Sequence, residues 1–201
     1  MSIAIGLDGG IASGKSIVSQ ILARYGAHII NSDKAAHQMY LPGSPMWQGI
    51  VEAFGEGILL ADQTIDRRRL GEIVFKDPKS LKLLNSITHP QIIQSIKEEI
   101  VRQKQILEDH CVLILESALI IELKLFDIVD RVWLVIADRE VAIERLCKGR
   151  GLTLRQAEER VSSQMPNEER IKYAQEVIFN NRTIEDVEEQ VAKAWERIFN
   201  Y

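Results

Sequence analysis

The sequence predicts an α/β fold with three layers, α/β/α, built on a five-stranded parallel sheet. Three observations lead to this prediction: short runs rich in Val, Ile and Leu, helical patterns between them, and a glycine-rich turn that joins the first run to the first helix. Continuous apolar runs are typical of strands buried on both faces, the usual situation in a parallel sheet. We therefore expect helices on both sides of the sheet, together with a helical insertion and a small helical lid.

The strands and the flanking helices follow from the apolar pattern. The predicted strands are Ile3–Leu7, Ala27–Ile30, Val112–Leu115, Val132–Ile136 and Val177–Phe179. A helix is expected directly after the glycine-rich turn, because apolar residues between positions 15 and 24 recur at helical spacing. The last helix is expected to begin at Thr183, where Asp186 completes a loose variant of a capping box.

A long stretch without strand signals separates the second and third strands. Proline and glycine residues at positions 42–45 interrupt it, and helical patterns follow at Arg67–Phe75 and Ser80–Ile87. A long amphipathic helix is then expected with Pro90 as its first residue. We interpret residues 34–107 as a helical substrate-binding domain, and residues 1–33, 108–146 and 166–201 as the nucleotide-binding core.

Residues 147–165 are interpreted as a lid. A helix that begins after Asp138 is expected to be interrupted at Lys148–Gly151, and the next segment is charged and poor in large apolar residues. Arg145 and Arg150 lie near the predicted hinge, and a cationic lid suits phosphoryl transfer because its closure brings positive charge to the reacting group. We assign Ser162, within the lid, to the nucleotide site. A solvated helix face with scattered charges is the alternative.

The bulk composition excludes several classes of protein. The chain has 201 residues and a formal net charge of -4, so no global basic field indicates a nucleic acid or an anionic membrane as partner. Two distant cysteines, Cys111 and Cys147, make neither a disulfide framework nor a metal cluster. No signal peptide or membrane-spanning run is expected. We expect a cytoplasmic monomer, with a homo-oligomer as the alternative.

The glycine-rich turn is a complete P-loop. Gly9-Gly-Ile-Ala-Ser-Gly-Lys-Ser16 fits G-x-x-x-x-G-K-[ST], follows a predicted strand and opens a predicted helix. Backbone N–H groups and the positive end of the helix dipole bind phosphate oxygens in such a loop. The residues predicted to bind ATP are Gly9, Gly10, Ile11, Ala12, Ser13, Gly14, Lys15 and Ser16. Lys15 is predicted to contact the β- and γ-phosphates, and Ser16 a Mg²⁺ ion.

Carboxylates follow the second and third predicted strands. Asp33 is expected at the carboxyl end of the sheet, beside the P-loop, where it could accept a proton from an acceptor hydroxyl or help to hold Mg²⁺. The alternative, that Asp33 caps the next helix, stays open on position alone. Glu116 ends the third strand and is a candidate for Mg²⁺ binding; a solvated charge is the alternative. Glu122 is a further candidate, assigned to substrate binding.

Two basic positions in the insertion are candidates for substrate binding. His89 precedes Pro90 and either binds a substrate phosphate or packs structurally. Arg67 begins an Arg-Arg-Arg run that suits an anionic substrate, although an exposed basic helix start is an equal alternative. The residues alone therefore predict a small-molecule kinase that uses ATP and Mg²⁺ and phosphorylates a hydroxyl group.

The sequence also resembles the dephospho-coenzyme A kinase family from end to end. The match begins with Ile5–Ser16 and the Asn-Ser-Asp33 segment. It continues with Asp66–Phe75 and with Asn85 followed by His89-Pro90. The later matching elements are Arg145-Leu146, Gly151-Leu-Thr153, Arg160 with Gln164, and Asn180. Many families share the P-loop, whereas the His-Pro and Arg…Gln…Asn elements together are much more specific.

The resemblance implies ATP-dependent phosphorylation of the ribose 3′-hydroxyl of dephospho-coenzyme A, the last step of coenzyme A synthesis. It implies that Asp33 is the general base, that Arg145 is catalytic, and that Arg150 and Asn180 belong to the ATP site. The chain departs from the family pattern at Asp8, where threonine is usual, and at Asn31 and Gln175. Ala118 stands where a proline is usual, and Gly149 stands where an arginine is usual.

Other classes of function are possible on the sequence alone. Another small-molecule or nucleotide kinase would share the P-loop and the lid. A nucleotide-dependent switch would carry an Asn-Lys-x-Asp segment for guanine, and the sequence has none. A nucleotide-binding protein that has lost catalysis is a third possibility, given the departures.

Overall fold

The computed structural model describes residues 2–32, 39–107 and 111–199. Its strands are β1 (Ile3–Gly9), β2 (His28–Asn31), β3 (Val112–Glu116), β4 (Arg131–Ile136) and β5 (Glu176–Phe179). Its α-helices are α1 (Lys15–Arg24), α2 (Pro45–Phe54), α3 (Arg67–Val74), α4 (Pro78–Ile106), α5 (Arg139–Arg150), α6 (Leu154–Ser162), α7 (Asn167–Arg170) and α8 (Ile184–Glu196). Among the described residues, no helix combines the length and apolar character needed to cross a membrane.

The five strands form one parallel sheet in the order β2-β3-β1-β4-β5, which confirms the predicted fold class. β1 is central, with Ile5 opposite Ile114 of β3 and Leu7 opposite Trp133 of β4. Because parallel strands end at the same edge, the loop after β1 emerges between the ends of β3 and β4. This topology places Glu116, the last residue of β3, beside the P-loop.

A buried apolar cluster fixes the sheet to two helices. Alternate strand residues such as Leu7 and Trp133 pack against Leu22 of α1 and Val191 of α8, and each of these side chains is fully buried. All five residues of β3 are buried, so both faces of this strand are covered. The predicted capping box at Thr183 is present, with Asp186 as its partner.

The chain divides into two compact units. One comprises Met1–Ile30 with Gln103–Tyr201, and the other comprises Asn31–Arg102. The second unit contains α2, α3 and most of α4, and buries Met46, Ile50 and Ile96 among its apolar residues.

The prediction that Pro90 begins a helix is wrong, because α4 runs without a break from Pro78 to Ile106. Proline lacks an N–H group and costs about 3 kcal/mol inside a helix. Side chains beside it bond to carbonyl oxygens of the preceding turn: Thr88 Oγ1 donates to Leu84 O, and Gln91 Nε2 donates to Ile87 O. Burial of Ile92, Ile96 and Ile100 along one face adds tertiary stabilisation that local propensity does not reveal.

The end of one further helix and the presence of another differ from the predictions. The interruption expected from Lys148 onwards is wrong, because α5 continues through Gly149 to Arg150 and ends at Gly151, which takes a left-handed conformation with φ 63°. An (i, i+4) ion pair between Glu144 and Lys148 supports this last turn. Helix α2 was not predicted; Pro45 does not break the chain there but occupies the first turn, after Ser44 as the N-cap.

Candidate active site

The P-loop spans the gap between β1 and α1. An ideal Cβ on Gly9 would lie 2.5 Å from Val135 O and 2.6 Å from Ser13 Oγ, so the close approach of the loop to β4 leaves no room for a side chain. Gly14 is the N-cap of α1 and has φ 94°, a left-handed conformation. The N-terminus of α1 is thereby aimed at the loop, which is the arrangement that binds anions.

Lys15 and Ser13 present polar groups to the loop. Lys15 Nζ donates to Gly9 O at 2.6 Å and to Gly10 O at 3.4 Å, so the ammonium group lies over the start of the loop. Ser13 Oγ is buried and has no hydrogen-bond partner. A buried hydroxyl without a partner is costly, and a phosphate oxygen would satisfy it.

The structure brings together the two residues predicted to bind a metal ion. Ser16 Oγ donates to Glu116 Oε1 at 2.7 Å, and Ser19 Oγ donates to Glu116 Oε2 at 2.8 Å. Glu116 is only 8% exposed and both its carboxylate oxygens accept hydrogen bonds, so the solvated-charge alternative is wrong. Hydroxyl and carboxylate oxygens are the ligands that Mg²⁺ prefers, and the donor set therefore fits this ion.

Arg145 and Asn180 hold the far side of the P-loop. Arg145 Nη1 donates to Ala12 O at 3.2 Å, and its Nη2 donates to Asn180 O at 2.9 Å and to Asn180 Oδ1 at 3.1 Å. Asn180 Nδ2 donates in turn to Ser13 O at 2.9 Å. The two predicted residues thus form one network with the loop, and the hydrogen bonds that reach the loop go to its carbonyl oxygens Ala12 O and Ser13 O.

Replacing Gly14 with alanine is expected to lower stability by about 2–3 kcal/mol and to weaken ATP binding. The added Cβ would lie 2.0 Å from Asn180 Nδ2, so Asn180 must move and release Ser13 O. Thermal unfolding and equilibrium ATP binding measure the two effects.

Gly26→Ala is the matched control for this substitution. Gly26 has φ 93°, almost the same as Gly14, but its Cβ would meet nothing within 4 Å. The control should cost about 1 kcal/mol and leave ATP binding unchanged. Equal effects of the two substitutions would contradict a role for the Gly14–Asn180 contact.

A cavity of about 510 Å³ lies beside the P-loop. Gly10, Ile11 and Ser13 line it on one side, and Ser162 and Gln164 line it on another. Ser162 Oγ accepts a hydrogen bond from Arg139 Nη1 at 3.0 Å. Gln164 Oε1 accepts from Ile11 N at 2.7 Å, so the segment after α6 is fastened to the loop. Gln164 was noted as a family element, but its contact with the P-loop was not predicted.

An ion-pair cluster behind the P-loop was also not predicted. Arg170, in α7, is fully buried and pairs with Asp8 and with Glu122. Burial is the largest influence on the pKa of Glu122 and raises it; the Arg170 guanidinium opposes this rise and the Asp8 carboxylate adds to it. The sequence carried one signal for such a partner, a carboxylate directly before a phosphate-binding loop.

The remaining predicted residues have varied surroundings. Arg150 is exposed at the end of α5. In the second unit, the Arg67 guanidinium lies 5.1 Å from the centroid of the Tyr40 ring, in a cation–π contact. His89 lies within α4, and burial lowers its pKa, which favours the neutral imidazole near pH 7. Asp33 lies outside the described residues.

A central strand, a P-loop and a helix, with a hydroxyl–carboxylate pair at the loop, define an α/β protein of the P-loop kinase class. A family model described as dephospho-CoA kinase matches residues 3–186. The chain belongs to the dephospho-CoA kinase family.

Individual relatives and solved structures are similar to this chain along nearly its whole length. The dephospho-CoA kinase of Geobacter sulfurreducens is 43% identical over 97% of this chain and 98% of its own. A solved structure of a Thermus thermophilus protein is 29% identical, with a TM-score of 0.82 and 98% of both chains covered. The structure of a Campylobacter jejuni dephospho-CoA kinase is 28% identical, with a TM-score of 0.68, and covers 100% of this chain and 98% of that chain.

Proposed function

We propose that the protein transfers the γ-phosphoryl group of ATP to the ribose 3′-hydroxyl of dephospho-coenzyme A, giving coenzyme A and ADP. The observation that carries the proposal is the family match over residues 3–186, which includes an intact P-loop. The geometry of the loop supports it, because the N-terminus of α1, Lys15 and the unsatisfied hydroxyl of Ser13 present donors to one anion.

The proposed reaction is an in-line displacement at the γ-phosphorus. The ribose 3′-oxygen forms a bond to this atom while the bond to the β,γ-bridging oxygen breaks, and the hydroxyl proton passes to the Asp33 carboxylate. Lys15 stabilises the charge that develops on the β- and γ-phosphates. Arg145 fixes the loop through Ala12 O and Asn180, and we propose that it also contacts the transferring group when ATP is bound.

We propose that Mg²⁺ accompanies ATP and that Ser16 and Glu116 hold it. Their oxygens are 2.7 Å apart and match the chemistry of this ion. When bound, Mg²⁺ neutralises charge on the β- and γ-oxygens. The Ser16 hydroxyl and the Glu116 carboxylate orient one another, and Ser19 fixes the second carboxylate oxygen.

Removal of the Ser16 hydroxyl is expected to raise the Mg²⁺ concentration needed for half-maximal turnover about ten-fold or more, because one ligand is lost. Ser86→Ala is the matched control, since Ser86 is an exposed serine whose Oγ donates to Leu83 O of its own helix. It should leave the Mg²⁺ requirement unchanged. Turnover measured against Mg²⁺ concentration gives this requirement for each variant. A similar change in the Mg²⁺ requirement for both variants would contradict the assignment of Ser16.

The roles of the substrate side and of the lid are also proposals. We assign His89, Arg67 and Glu122 to dephospho-coenzyme A, residues 34–107 to its binding domain and residues 147–165 to the lid. Ser162 and Arg150 are assigned to ATP. A neutral His89 suits a hydrogen bond to a phosphate or ribose oxygen rather than an ion pair.

We further propose a cytoplasmic monomer that needs no nucleic acid or membrane partner. The net charge of -4 and the family of metabolic kinases support this proposal. Size-exclusion chromatography with light scattering at several concentrations tests the monomer against a homo-oligomer.

An acceptor panel tests the proposed function. Production of ADP from ATP is measured with dephospho-coenzyme A, nucleosides, nucleoside monophosphates, shikimate and sugars as acceptors. We expect acceptor-dependent turnover with dephospho-coenzyme A and at least about 100-fold lower kcat/KM with the others. A preference for another acceptor would assign a different small-molecule kinase, and the absence of acceptor-dependent turnover would leave only nucleotide binding.

A further inference from the structure

Asp8 raises an electrostatic problem at the P-loop. It directly precedes Gly9 in β1 and is fully buried. If the loop binds ATP, a buried negative charge stands close to a triphosphate, and the low effective dielectric makes their repulsion strong. The problem rests on the proposed function, in the sense that it exists only if the loop binds a polyphosphate.

Arg170 pairs with this carboxylate. Its Nη1 donates to Asp8 Oδ1, its Nη2 donates to Glu122 Oε1, and its Nε donates to Met165 O at 3.1 Å. The other Asp8 oxygen accepts from Ile121 N at 3.0 Å. The guanidinium therefore bonds along three directions, and both oxygens of Asp8 are satisfied.

The position of Arg170 connects this pairing to the phosphate site. It ends α7, six residues after Gln164, which accepts the Ile11 N–H of the P-loop. Residues of the same segment line the cavity beside the loop. One short segment therefore contacts both the P-loop, at Ile11, and the strand that precedes the P-loop, at Asp8.

The burial of the cluster makes the guanidinium necessary. Arg170 and Asp8 have fully buried side chains, whereas that of Glu122 is 28% exposed. Removal of Arg170 would leave two carboxylates facing one another behind the loop, with solvent reaching only Glu122. An isolated buried charge is far more costly than a paired one, and its field acts on any anion nearby.

We infer that Arg170 is a positioning residue for ATP: its guanidinium neutralises Asp8 and so allows a carboxylate to stand directly before a triphosphate-binding loop. Arg170 acts through Asp8 and does not need to touch the nucleotide. Asp8 departs from the family pattern directly before the P-loop. It is compatible with ATP binding because Arg170 pairs with it.

A double-mutant cycle tests the inference by equilibrium binding of ATP in the absence of any acceptor. Arg170→Met is expected to raise the dissociation constant for ATP about ten-fold or more, because the charge of Asp8 is no longer neutralised. Arg170→Lys keeps the charge but loses the planar guanidinium, and it should bind ATP more tightly than Arg170→Met. Asp8→Asn with Arg170→Met should also bind within about three-fold of Asp8→Asn alone, since no charge remains at residue 8.

Two results would overturn the inference. One is unchanged ATP binding by a folded Arg170→Met protein. The other is a loss in the double variant, relative to Asp8→Asn, as large as about ten-fold, because Arg170 would then act by a route other than Asp8. The second comparison can be made even if Arg170→Met alone fails to fold. Melting temperatures of all variants distinguish the charge effect from a purely structural effect, because a structural effect would weaken ATP binding in proportion to the loss of stability, whatever the charge at residue 8.

The ATP-binding readout separates this inference from the proposed function. A protein that binds ATP and follows the cycle, but does not phosphorylate dephospho-coenzyme A, would remove the proposed acceptor and keep the role of Arg170. Turnover with dephospho-coenzyme A, together with equal ATP binding by all variants of the cycle, would keep the proposed acceptor and remove the role of Arg170.

Discussion

Replacement of Lys15 by alanine is expected to reduce kcat/KM by at least about 1,000-fold while the protein stays folded. The Lys15 ammonium is the P-loop cation predicted to stabilise the charge on the β- and γ-phosphates during transfer. Its bonds to Gly9 O and Gly10 O are partly buried, and Lys15 is not a member of the apolar cluster that fixes the sheet to α1 and α8. Steady-state production of ADP and a thermal melt measure the two quantities.

Lys193→Ala is the control for the Lys15 substitution. Lys193 is an exposed lysine of α8 that pairs with Glu189 one turn away, and pairs of this kind contribute little. The control should keep wild-type turnover. A Lys15→Ala protein with more than about one-tenth of wild-type kcat/KM would contradict the assignment of the P-loop as the phosphoryl-transfer site.

Asp33→Asn is expected to lower kcat by at least about 100-fold while the dissociation constant for ATP changes by less than about three-fold. The amide keeps the size of the side chain but cannot accept the proton of the 3′-hydroxyl. Single-turnover kinetics with saturating dephospho-coenzyme A measure the chemical step, and equilibrium binding measures ATP.

Glu52→Gln, an isosteric change at an exposed carboxylate of α2, is the control for Asp33. It should leave both quantities unchanged. Normal kcat in Asp33→Asn would remove Asp33 from the role of general base and favour the alternative that it caps a helix. A parallel loss of ATP binding would instead place Asp33 on the metal ion.

The sheet could be predicted from sequence because its strands are short apolar runs that end in turn residues. The first strand extends the predicted run by Asp8 and Gly9, and the third extends it by Glu116, since hydrogen bonding continues past the last apolar side chain. The helix boundaries at Pro90 and Gly149 could not be predicted. Both residues disfavour a helix locally, and tertiary burial or neighbouring side chains outweigh that preference.

The candidate site likewise contains residues that the sequence predicts and residues that it does not. The P-loop and Glu116 could be predicted because motif spacing and a strand end fix their positions. Arg145 was singled out by its place near the expected hinge and by the family resemblance. Arg170 could not, because it sits in a four-residue helix without a periodic pattern and its partners lie 48 and 162 residues away. A buried arginine looks like a surface arginine in the sequence, and only the three-dimensional arrangement reveals the carboxylates that it pairs with.

The position of the added phosphate on the product distinguishes the proposed reaction from other phosphoryl transfers. Dephospho-coenzyme A is incubated with ATP and the wild-type protein, with Lys15→Ala in parallel, and the product is examined by mass spectrometry and ³¹P NMR. We expect one added phosphate on the ribose 3′-oxygen, formed by the wild type and not by the variant. A phosphate at another position, or unchanged dephospho-coenzyme A while another acceptor is phosphorylated, would contradict it.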